Sequence, residues 1–108
     1  MTLSGCAIGH TSTGNQFTMQ WNNVPSASQG SLCGHFADAV GAVAGQIIVR
    51  SITCSTDNSN NMDTIVKLDK TSCVNQANLI GQAISQALGS GGTLSYDSGR
   101  CNFDSSGC

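Results

Sequence analysis

The chain predicts an α+β fold, a four-stranded antiparallel sheet with two helices on one face and disulfides stapling it. Three observations predict it. Apolar side chains alternate with period two in short segments rich in β-branched and aromatic residues. Between those segments lie two stretches whose apolar residues recur at helical spacing. Six cysteines are spread from one end of the chain to the other. At 108 residues the whole chain, 1–108, is expected to form one domain.

Residues 16–21, Gln-Phe-Thr-Met-Gln-Trp, place Phe17, Met19 and Trp21 on one side and Gln16, Thr18 and Gln20 on the other. This is the pattern of a half-buried strand, and Asn22-Asn23-Val24-Pro25-Ser26 breaks it. Ser31 is then expected to cap a helix running to Ala44. Leu32, Phe36, Val40 and Val43 share its buried face, and Gly45 ends it. Gly34 and Gly41 each weaken such a helix by roughly 1 kcal/mol relative to Ala, so tertiary packing has to hold it. Residues 46–55 form a β-branched run that reads as a strand, and 62–68 alternate again, with Met62, Thr64, Val66 and Leu68 opposite Asp63 and Lys67. Joined by the polar turn 56–61, the two predict a hairpin. Thr71 or Ser72 is expected to cap a second helix through Leu88, with Cys73, Ala77, Ile80, Ile84 and Leu88 inward and Asn75, Gln82 and Gln86 facing water; Gly89 stops it. Residues 93–96, continued at 100–103 past a bend at Asp97-Ser98-Gly99, complete the set as a last strand.

The resulting order, β-α-β-β-α-β, predicts the ferredoxin-like split arrangement with strands ordered 4-1-3-2. His10 is read as lying in a Gly/Ser/Thr-rich leader ahead of the first strand. The N-terminus has neither a basic region nor an apolar stretch, so a signal peptide is expected to have been cleaved or left out, with Met1 an added initiator.

The cysteines are Cys6, Cys33, Cys54, Cys73, Cys101 and Cys108. None are paired at the close spacing by which a few residues wrap a zinc ion, so all six are expected in disulfides. Disulfides imply an oxidising compartment and a secreted, extracellular protein. Six cysteines allow 15 pairings. The predicted topology favours Cys33–Cys54, where the first helix and second strand share an end, then Cys73–Cys101 and Cys6–Cys108 at the opposite end.

Charge narrows the classes of function. The basic residues are Arg50, Lys67, Lys70 and Arg100, against six aspartates and no glutamate. That cannot make the Lys/Arg cluster on which nucleic-acid binding depends, and a net charge of −2 gives no pull toward anionic lipid. No segment is apolar for long enough to span a bilayer, so no stable membrane insertion is expected. There is no Asn-x-Ser/Thr sequon.

The sequence shows no catalytic motif, metal site or cofactor site. His10 and His35 are the only histidines and no motif surrounds either; no serine lies in a Gly-x-Ser-x-Gly elbow. A ribonuclease-like site lacks Glu, and Asp57, Asp63 and Asp69, which paired-carboxylate hydrolysis would need, fall in or beside turns. Trp21 and Tyr96 could offer faces to a sugar, but Trp21 shares its side with Phe17 and Met19 and reads as core.

The element order, the cysteines at both extremes (Cys6, Cys108) and those at both helix starts (Ser31-Leu32-Cys33 and Thr71-Ser72-Cys73) together resemble the killer-toxin-like α/β-sandwich family of fungi. That family includes virally encoded killer-toxin subunits and secreted effectors of plant-pathogenic fungi. The resemblance implies a non-enzymatic extracellular protein acting on a host or on a competing microbe. Proteins that permeabilise membranes rely on cationic patches, and four scattered basic residues do not form one. The expectation is therefore an effector binding a host target through its loops and the polar sheet face of Gln16, Thr18, Gln20 and Lys67. A killer toxin acting on microbes is the alternative, followed by a small secreted hydrolase using His10 or His35.

Overall fold

In a computed structural model, residues 2–56, 60–69 and 73–91 are described. They form β1 (Thr2–His10), β2 (Gly14–Asn22), α1 (Ser26–Ala44), β3 (Val49–Thr56), β4 (Met62–Asp69) and α2 (Cys73–Gly91). All strand pairs are antiparallel, in the order β1-β2-β4-β3. The chain is thus an α+β fold with a four-stranded antiparallel sheet and two helices, as its periodicities predict.

Alternation decides which face is buried. Asn15, Phe17, Met19 and Trp21 of β2 and Met62, Thr64, Val66 and Leu68 of β4 all lie inward. Both helices cover that one face: Leu32, Phe36, Ala39 and Val40 of α1 and Ile80, Ala83 and Ile84 of α2 join the same cluster. Trp21 is fully enclosed, edge-on to Phe36 with ring centroids 6.1 Å apart. Its Nε1–H donates to Thr64 Oγ1 at 3.1 Å, which satisfies the one polar atom the ring takes into the core. Trp21 is a core residue.

Two expectations need correction. The place beside β2 assigned to the last strand is held by the N-terminal strand β1, in register from Leu3↔Trp21 to His10↔Asn15. Residues 2–10 are therefore part of the sheet and not a leader. Their signal is muted because small residues predominate and the inward set, Leu3, Cys6 and Ile8, takes a step of three before settling to two. That step is a bulge between Leu3 and Gly5. The sequence-predicted strand at 93–96 and 100–103 lies outside the described residues.

The second correction concerns α1, which starts five residues before Ser31. Pro25 occupies the N-cap position with φ −55° and ψ 139° and no capping side chain. The Ser28 N–H donates to the Pro25 carbonyl at 2.8 Å, and the buried Gln29 amide reaches back to the Val24 carbonyl at 3.0 Å. A main-chain carbonyl thus takes the first-turn N–H that a serine cap was expected to take, the glutamine ties the helix to the residue before Pro25, and Ser31 is an exposed residue inside the helix. Gly45 closes the helix at φ +60° and ψ −116°, a conformation that favours glycine. α2 begins at Cys73, as expected, and continues to Gly91, past the predicted stop at Gly89.

Candidate functional site

Cys33 of α1 and Cys54 of β3 are bonded, with Cα atoms 6.3 Å apart. This is the pairing the topology favours, and it holds because Cys54 lies on the helix-covered side of β3, paired with inward Thr64. Cys6, on the inward side of β1, is also disulfide-bonded. Cys73 opens α2, and Cys101 and Cys108 lie outside the described residues, as do the favoured pairings Cys73–Cys101 and Cys6–Cys108.

The residues singled out for catalysis are not brought together. His35 is exposed on α1, whereas His10 sits at the end of β1 against Asn15. Asp63 is exposed in β4 and Asp69 ends that strand; Asp57 and Tyr96 lie outside the described residues. Among the described residues no three His, Cys, Asp or Glu side chains converge as a metal site would require. No helix among them is long and apolar enough to cross a membrane.

The polar face predicted for recognition does form. Cross-strand register lays it out as rows: Gly9, Gln16, Lys67 and Ser51; Ala7, Thr18, Ile65 and Thr53; Gly5, Gln20, Asp63 and Ser55. All of these lie opposite the helix-covered side, and each is exposed or half-buried. Their side chains are small or polar apart from Ile65.

At one end of this face, beneath the β1–β2 turn, is a cleft of about 380 Å³ lined by Thr11, Thr13, Gly14, Gln16, Arg50 and Lys67, among others. The turn is rigid. Thr11 Oγ1 donates to the Gly14 carbonyl at 2.9 Å and accepts from the Gly14 N–H at 3.0 Å. Gly14 is required there, because a Cβ would collide with the Leu68 carbonyl oxygen of β4.

Sequence reasoning missed Arg50. In β3, Val49 pairs with Leu68 and Ser51 with Lys67, so Arg50 is the extra residue of a bulge. The bulge places a second cation beside Lys67. Its sequence signal is the inward step of three from Val49 to Ile52, followed by the step of two to Cys54. Arg50 Nε donates to Asp69 Oδ1 in a salt bridge. That hydrogen bond, and then the carboxylate's charge, raise the guanidinium pKa above its ordinary value.

Behind the cleft the helix side is bolted by neutral amides. Gln76 of α2, fully buried, donates from Nε2 to the Asp69 carbonyl at 2.7 Å. Its Oε1 accepts from Asn15 Nδ2 at 2.6 Å, and Asn15 Oδ1 faces His10 Nδ1 at 3.1 Å.

Compared with known proteins, the chain matches no protein-family model, no curated protein and no solved structure.

Proposed function

We propose that the protein is a secreted recognition module, an effector of the killer-toxin-like kind that binds a host plant target without catalysing a reaction. The observation that carries this reading is the outer face of the sheet. Three rows of small and polar side chains cross β1, β2, β4 and β3 while both helices pack on the opposite side. A surface of hydroxyls, amides and few charges suits specific hydrogen bonding to a partner more than adsorption to anionic lipid. Of the strand–helix–strand–strand–helix–strand order on which the killer-toxin-like resemblance rests, the first five elements are β2 to α2, with β1 preceding them, and the last falls outside the described residues. The disulfide from α1 to β3 agrees with secretion.

The test applies oxidised protein to leaf tissue and, separately, to fungal and bacterial cultures, beside a Thr53→Arg variant. Thr53 is exposed in the middle row, so the substitution changes the face and leaves the core alone. A tissue response to the native protein that Thr53→Arg loses, with an unchanged circular dichroism spectrum, is expected. Growth inhibition of microbes at micromolar doses with no plant response would overturn the reading in favour of a toxin.

A further inference from the structure

We propose that the cleft between the β1–β2 turn and the Arg50 bulge binds one unit of an acidic sugar, a carboxylated or sulfated monosaccharide within a larger glycan. This names the ligand class for one end of the recognition face and rests on that reading. Four features of the cleft carry it. At about 380 Å³ it falls within the range of roughly 300–1,000 Å³ typical of small-molecule sites. Two of the chain's four basic residues meet there, one of them placed by a bulge. The Asp69 bridge uses Arg50 Nε, leaving the terminal N–H groups of the guanidinium for a second acceptor. Among the described residues the Lys67 ammonium has no carboxylate partner.

Charge balance selects the kind of anion. Among the described residues, two cations and the Asp69 carboxylate bridged to Arg50 leave a net of one positive charge, which suits a uronate or a sulfate ester better than a phosphate dianion. The other lining groups select the rest of the ligand. The Thr13 hydroxyl and the Gln16 amide can exchange hydrogen bonds with sugar hydroxyls. Among the described residues no aromatic ring lines the cleft, so a neutral sugar would lack a stacking platform there and affinity has to come from charge and hydrogen bonds.

The experiment titrates isotope-labelled, oxidised full-length protein with a uronic-acid disaccharide, a sulfated disaccharide, the methyl-esterified neutral disaccharide and inorganic phosphate, following backbone amide shifts. The expected result is saturable shifts at Thr13, Gln16, Arg50 and Lys67 with one or both acidic sugars, which identifies the acid, and none with the neutral one. Lys67 is exposed, so Lys67→Gln should retain the native spectrum and weaken binding about tenfold or more, the worth of one charge-assisted hydrogen bond. Added salt should weaken it as well. Equal binding of the neutral sugar, phosphate bound as tightly as the acidic sugars, unchanged affinity in Lys67→Gln, or no shifts at millimolar ligand would each overturn the proposal. Thr53 lies outside the cleft lining, so loss of tissue response in Thr53→Arg and loss of sugar binding in Lys67→Gln report separately on the face and on its ligand.

Discussion

Gly14 shows how closely two strands can be drawn together when a side chain is removed. Its backbone sits so near the Leu68 carbonyl that no Cβ fits, and the collision is with main chain, which cannot rotate away. Gly14→Ala is expected to destabilise the fold by about 1–3 kcal/mol, the usual range for overpacking. A urea transition with a lowered midpoint and an unchanged slope checks this; a midpoint equal to the native one would show that β4 yields freely. His10 offers a sharper test at the same scale. A backbone carbonyl can only accept, so Asp69 O fixes the orientation of the Gln76 amide, which in turn fixes that of Asn15. Asn15 Oδ1 must then accept from His10, so the neutral imidazole carries its proton on Nδ1. Long-range proton–nitrogen correlation spectra should report that tautomer for His10. A dominant Nε2–H form would show that the relay of amides does not run this way.

The Cys33–Cys54 bridge ties α1 to a strand on the sheet edge and encloses a sequence separation of 21 residues. By the chain-entropy account that loop is worth about 3 kcal/mol. Replacing both cysteines with alanine should therefore lower the melting temperature by more than about 10 °C, at the several degrees per kcal/mol typical of a domain this size. Calorimetry of the double variant checks it, and a fall of only a degree or two would place the stability of α1 in its apolar stripe. Elements were legible wherever period and burial agree. Phe17, Met19 and Trp21 alternate without a slip, as do Met62 to Leu68, and all seven of these inward residues are buried. Ile80 and Ile84 likewise mark the inward side of α2. β1, which escaped notice, and β3, whose start at Val49 falls three residues after the predicted one, break their own rule. β1 and β3 each carry a bulge, which shifts the alternation by one residue, and in β1 the glycines dilute what remains. The start of α1 was obscured for a different reason: Pro25 and a back-bonded glutamine begin the helix in a stretch, Ser-Ala-Ser-Gln-Gly, that has the composition of a turn.

Across the whole molecule the division of labour is by face. One side of the sheet and both helices hold the apolar cluster, and the other side is left to hydroxyls, amides and a pair of cations. The polar face was legible, because Gln16, Thr18, Gln20 and Lys67 are outward in any register that buries Phe17 and Val66. The cleft itself was not, because it depends on one extra residue in β3 and on β1 supplying the turn above it. The same faces also divide charged from neutral chemistry. Arg50, Lys67 and Asp63 stand on the outer side, whereas the fastening between α2 and the sheet is made of Asn15, Gln76 and a main-chain carbonyl. None of these three groups gains or loses a proton between mild acid and neutrality. A change from mildly acidic to neutral surroundings therefore leaves the joint that seats the second helix with the same donors and acceptors.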